Sequence, residues 1–89
     1  MIIWDKQKNE WLKRERKISF EEIAEKIIYG KIMDIIKNPS RQYQKVFVIN
    51  IHNYIYAVPF IMDDNENIIL KTAYPSRKLY SKYGGNNET

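Results

Sequence analysis

Between residues 67 and 83 the chain carries Lys71, Arg77, Lys78 and Lys82 among Tyr74, Tyr80 and Tyr83, with no acidic residue. Such residue types suit a phosphodiester. The planar fork of an arginine donates two hydrogen bonds to one phosphate. A lysine crowded by other cations gives up its proton more readily and can act as acid or base. A tyrosine can stack on a base or pass a proton. RNA brings its own nucleophile, the 2′-hydroxyl. A protein that holds the backbone in line, removes that proton and neutralises the charge at phosphorus can cleave RNA with no cofactor. Lys71, Thr72, Tyr74, Ser76, Arg77, Tyr80 and Tyr83 supply those groups at the end of an apolar stretch. The same residues also admit plain structural roles, with Leu79 and Tyr83 packed inward and Lys78 and Lys82 left in water.

Other chemistries find less support. The chain has no cysteine, which excludes disulfides, thiolate metal sites and a cysteine nucleophile. Its single histidine, His52, cannot build a multi-histidine metal site. The run Asp63-Asp64-Asn65-Glu66-Asn67 resembles the start of a calcium loop. However, Ile68 stands where the loop needs glycine and Tyr74 where it needs the closing glutamate. It reads as a polar hairpin loop. There is no glycine-rich phosphate loop. Fifteen Lys and Arg against eleven Asp and Glu give a net charge of +4. The gathering of cations toward one end suits a polyanionic partner, although a solvated lysine-rich tail has the same composition. The first residues lack the apolar core of a signal peptide, and no apolar run approaches membrane-spanning length. A cytoplasmic protein without a membrane partner is the expectation.

Eighty-nine residues make one domain with one modest core. Residues 5–17 are helix-friendly and charged, with Trp4, Trp11 and Leu12 as the large apolar groups. The spacing of Trp4 and Trp11 puts them on one helical face, with Lys6, Lys8, Lys13, Arg14 and Arg16 on the solvated side. Ser19 and Glu22 have the spacing of a capping box, and Ile18 and Ile23 that of a hydrophobic staple. Phe20, Ile23, Ala24, Ile27 and Ile28 form a helical stripe that Gly30 ends. A short strand is expected around residues 32–36, then a turn at Asn38-Pro39-Ser40. "QKVFVINI" and "YIYAVPFIM" read as two strands joined by a tight turn at His52-Asn53, with Asn53 at positive φ. "IILKTAY" is the last strand. Pro59 objects, because proline removes a ladder donor; a bulge or a free edge is required there. Ser76 can cap a last short helix. The expected fold class is α+β: two N-terminal helices on an antiparallel sheet of 3–4 strands, with a short C-terminal helix, over residues 1–83, and a flexible tail at 84–89.

The ordered series "WDKQKNEW…ISFEEI", "KIMDIIKNP", "KVFVI…YIYAVPF" and "LKT…PSRK…KY" resembles the BrnT-like toxins of bacterial type II toxin–antitoxin modules. The likeness runs from Trp4 to Tyr83, and "KT-x-x-PSRK" (Lys71, Thr72, Pro75, Ser76, Arg77 and Lys78) carries most of it. The resemblance implies a RelE-like ribonuclease fold and a cofactor-free endoribonuclease that blocks translation, with RNA, either free or on the ribosome, as substrate. It also implies a cognate antitoxin, commonly a ribbon-helix-helix DNA-binding protein. By that likeness Lys71, Arg77 and Tyr83 are the catalytic groups. Thr72, Tyr74, Ser76, Lys78 and Tyr80 would contact substrate. Relatives often carry a histidine where this chain has Asn38 and an acid where it has Asn50. Two other readings stay open: a non-catalytic binder of RNA or antitoxin, and a domain whose basic end docks an acidic peptide.

Overall fold

Asp5 closes an opening strand and starts a helix. The structure is a computed structural model and describes residues 1–84. Strand β1 (Ile2–Trp4) leads directly into helix α1 (Lys6–Arg16), whose first turn is capped by the Asp5 carboxylate accepting from the Lys8 amide at 2.9 Å. Lys17 ends the helix in a left-handed conformation, φ 58°. Helix α2 (Phe20–Ile28) opens with the full capping box: the Glu22 amide donates to Ser19 Oγ, and the Ser19 amide donates to Glu22 Oε1. Gly30 follows its last turn at φ 71°.

Four further strands and a two-residue one complete the sheet: β2 (Asp34–Lys37), β3 (Lys45–Ile51), β4 (Tyr54–Met62), β5 (Ile68–Leu70) and β6 (Tyr74–Pro75). Among the described residues the sheet has six strands in the order β1-β5-β4-β3-β2, with β6 also paired to β4. The α+β class agrees with expectation, but the order and the sheet differ. A strand precedes the helices, and it runs parallel to β5, so the sheet is mixed. Three residues are too few to show alternation, and their partner lies near the other end of the chain. Trp4 is therefore a strand residue packed on Phe20, ring centroids 5.8 Å apart, and not the helical mate of Trp11.

The β3–β4 hairpin turns at His52 and Asn53, both at positive φ, as a two-residue turn of this kind requires. The loop after β4 is tied by Asp63, whose carboxylate accepts from the Asn65 and Asn67 amides and from Asn67 Nδ2, each at 2.9 Å. Those bonds, led by the Asn67 side chain, hold the Asp63 carboxyl below the ordinary carboxylate range.

Alternation in β3 splits the sheet into two faces. On one face α1 and α2 bring Leu12, Ile18, Phe20 and Ile23 against Phe47, Ile49, Val58 and Phe60. Burying each large side chain of this kind contributes about 1.5–3 kcal/mol. Buried Asn9 ties the helices together. Its Oδ1 accepts from the Phe20 amide at 2.7 Å and its Nδ2 donates to Glu21 Oε1 at 2.8 Å. On the opposite face Val46, Val48, Ile55 and Ala57 are also buried. There the chain ends in α3 (Arg77–Leu79), which widens into a π-helical turn, Tyr80–Gly84. Gly84, the first residue of the expected tail, lies in this turn, where a Cβ on it would lie 2.9 Å from Ile55 Cγ1 and 2.8 Å from a Tyr80 ring carbon. The rest of the expected tail, residues 85–89, lies outside the described residues.

Candidate nucleic-acid interface

Pro59 organises the site. Its carbonyl accepts from the Lys71 amide at 2.9 Å. In a strand, the N–H and C=O of one residue point to the same neighbour, so the missing donor faces β5 and β6 and leaves the β3 ladder intact. Pairing then shifts. Phe60 pairs Leu70, but Ala57, three residues back, pairs Tyr74, four residues on. The last strand therefore carries one extra residue beside the proline. Of the two solutions open to the sequence, the structure takes the bulge, and takes it in the partner strand. Such bulges re-aim side chains next to functional sites. Here the bulged stretch holds Lys71 and Thr72, between β5 and β6.

A second wall comes from the loop joining β2 and β3. Asn38 is its hub: Oδ1 accepts from the Ser40 amide at 2.9 Å and the Arg41 amide at 3.3 Å, and Nδ2 donates to Gln44 Oε1 at 3.0 Å. The Gln44 amide donates to the Arg41 carbonyl at 3.0 Å. With both ends of the loop fixed, Arg41 and Tyr43 project into solvent. Helix α1 adds Lys8 from its first turn. Together these elements line an open depression of about 550 Å³ formed by Lys8, Asn38, Ser40, Arg41, Tyr43, Gln44, Pro59, Lys71, Thr72 and Tyr74. Three cations and two phenols face it, and no carboxylate lines it. Surfaces that bind single-stranded nucleic acid combine cations with aromatic rings of this kind.

The residues singled out in the sequence divide into two groups. Lys71, Thr72 and Tyr74 line the depression; Arg77 and Tyr83 do not. Ser76 caps α3, its Oγ accepting from the Leu79 amide at 3.1 Å while its own amide donates to the Ile55 carbonyl. Arg77 and Lys78 are exposed on α3. Tyr80 stacks on Tyr54, centroids 4.7 Å apart and planes 8° from parallel. The Tyr83 hydroxyl donates to Asp34 Oδ2 at 2.5 Å, with Lys82 Nζ 5.4 Å from the Tyr83 ring centre. The bond to Tyr83 holds the Asp34 carboxyl below its ordinary range. For the same reason the Tyr83 phenol lies above its ordinary value, since losing its proton would break the bond and set two anions together.

Sequence reasoning reached Asn38 as a turn residue but missed Lys8, Arg41 and Tyr43 as parts of the lining. A cation directly after a tight Asn-Pro-Ser turn is a usable signal for Arg41. Lys8 gives none, being one of several lysines on a charged helix. Two of the helix cations expected in water are instead half-buried. Lys8 and Arg16 lie over the Trp11 ring at 4.9 and 4.7 Å, and Arg16 also donates to the Ala73 carbonyl beside the bulge. Among the described residues no three His, Cys, Asp or Glu side chains gather at metal-binding distance. His52 faces Glu22 at 3.2 Å. Among the described residues no helix is long and apolar enough to cross a membrane. No family model, curated protein or solved structure matches the chain.

Proposed function

We propose that the protein is the toxin of a type II toxin–antitoxin module, a metal-independent endoribonuclease that acts on RNA in the cytoplasm and blocks translation. One observation carries the reading: an open depression lined by Lys8, Arg41 and Lys71, with Tyr43 and Tyr74 beside them and no carboxylate to repel a phosphate. In the reaction the 2′-hydroxyl oxygen attacks the adjacent phosphorus and the bond to the 5′-oxygen breaks. The 2′ proton goes to a basic group, a proton returns to the leaving oxygen, and the products are a 2′,3′-cyclic phosphate and a 5′-hydroxyl. Arg41 and Lys71 neutralise the charge that builds on the non-bridging oxygens, and such preorganised donors supply much of the rate in reactions of this type. Tyr74 and Tyr43 stack bases and hold the strand in line. Thr72, next to Lys71 in the lining, offers a hydroxyl to the substrate. The ordered likeness to BrnT-like toxins supports a cognate ribbon-helix-helix antitoxin.

A second reading, a module that grips RNA or its antitoxin without cutting, is favoured by a specific arrangement. Arg77 is outside the lining and the Tyr83 phenol is occupied by Asp34. Tyr83 must leave that carboxylate before it can move a proton.

The test is expression of the wild type, Lys71→Ala and Arg77→Ala, each with and without the adjacent gene. The nuclease reading expects growth arrest by wild type alone, new RNA ends bearing 5′-hydroxyls in the presence of EDTA, and loss of both with Lys71→Ala. Intact RNA together with salt-dependent binding would leave the second reading standing. Absence of RNA binding would remove the nuclease reading and leave, of the second, only a module that grips its antitoxin.

A further inference from the structure

We infer that a second hollow, on the face that carries α1 and α2, docks an acidic amphipathic segment of a partner protein through its apolar side chains. This groove, about 440 Å³, is floored by stacked Phe47 and Phe60 and walled by Ile27, Ile35 and Met62, with Lys45 at its rim. The floor is buried, but the helices leave the walls uncovered: Ile35 is 46% exposed and Met62 56%. Large exposed apolar side chains gathered at one hollow mark an interaction surface.

The charges say what covers it. Lys45 is the direct cross-strand partner of Lys37. Partners across a ladder share a face, so two exposed cations stand side by side, an unfavourable arrangement. Among the described residues neither has a carboxylate within ion-pair range. The first depression gathers cations around polar groups; here a like-charge pair borders a greasy floor. A nucleic acid would satisfy the cations but waste the floor, and a neutral helix would do the reverse. A segment with apolar residues on one stripe and Asp or Glu beside them satisfies both. Strand addition along the outer edge of β2 is less suited, because the Ile35 amide already donates to Asp34 Oδ1 at 2.8 Å. The inference does not rest on the nuclease reading, since apart from Tyr43 the two hollows share no lining residue.

The experiment titrates the full chain with three synthetic helical peptides that share a Leu stripe at i, i+3, i+4 and i+7 and carry Glu, Gln or Lys on the flanks. NMR shifts of the wild type, Met62→Asp and Lys45→Glu report where and how tightly each binds. Expected is saturable binding of the Glu peptide with shifts at Ile35, Lys45 and Met62, at least tenfold tighter than the Lys peptide. Met62→Asp should weaken it at least tenfold, and Lys45→Glu should narrow or reverse the preference. Met62 and Lys45 are both exposed, so neither change threatens folding, which the spectra themselves check. Equal affinity for all three peptides, no saturable binding, or shifts confined to Lys71 and Arg41 would overturn the inference. So would a dimer of the protein that Met62→Asp dissociates, or a single-stranded RNA oligonucleotide that shifts the groove residues more than the Glu peptide does.

Discussion

Two hollows flank the same end of the β3–β4 hairpin. Pro59, on one face of β4, helps line the ionic depression; Phe60, its neighbour on the other face, floors the apolar groove. The loop from Asn38 to Gln44 rounds the end of both, and Tyr43 lines each. A side-chain period of two separates Pro59 from Phe60, while the cations and phenols around Pro59 come from α1, the loop and the last strands. The two faces also differ in what covers them. Two capped helices anchored by Asn9 cover the Phe47 face, whereas a short C-terminal turn held by Tyr80, Tyr83 and Gly84 covers part of the other.

The largest contrast lies in the floors. Phe47→Ala removes half of a stacked pair and should cost about 3–5 kcal/mol, as read by urea unfolding. Pro59→Ala should cost no more than about 1 kcal/mol, the scale on which proline restrains the unfolded chain. Equal losses would mean that Pro59 is a packing residue and not a device of the ladder. Next in size is binding. Arg41→Glu combined with Lys71→Glu should weaken single-stranded RNA binding about 100-fold at low salt, while Met62→Asp should change it less than about twofold. If Met62→Asp also loses RNA, the hollows are one surface. Smaller is the loop hub. Asn38→Ala leaves amides of Ser40 and Arg41 without their acceptor and should cost about 1 kcal/mol. Its crystal structure should show Arg41 displaced.

The smallest effect concerns the C-terminal turn and is read by pH. Asp34 has a lowered folded pKa, so its contribution is present above the unfolded carboxylate range and is lost as pH falls through the folded value. Tyr83 has a raised folded pKa, so its contribution is present below the ordinary phenol value and is lost as pH rises through the folded one. The turn should therefore be held across neutral pH and loosen in both strong acid and strong alkali. Tyr83→Phe should abolish both limbs in an NMR titration of the Ser81 and Lys82 amides. If both limbs survive the substitution, another contact fixes the turn.

Local signals were readable in the sequence wherever a short segment sets its own conformation. Ser19 with Glu22, Gly30, His52-Asn53, the Asp63 loop and the Ser76 cap all place their structure as their spacing implies. What was not readable depends on distant partners. β1 exists because β5 lies beside it, and Arg16 is half-buried because Ala73 comes to it. The depression follows the same rule. Lys71, Thr72 and Tyr74 were legible as a cluster because they lie within four residues of one another. Lys8 and Arg41 join only after the chain has folded, from a helix and a loop that show nothing unusual in composition. Ser76 and Tyr80 have types that suit substrate contact and Tyr83 one that suits catalysis, but the Ser76–Leu79 and Tyr83–Asp34 hydrogen bonds and the Tyr80–Tyr54 stack engage them in holding the C-terminal turn.

Pro59 also limits how the last strands can slide. Moving β5 onward along β4 as one unbroken ribbon would set a carbonyl opposite a nitrogen that has no hydrogen, and each later bond would be formed around that defect. The imide thus acts as a ratchet stop, fixing where the extra residue must fall and keeping the amine of Lys71 at one height along the sheet through every refolding of the chain.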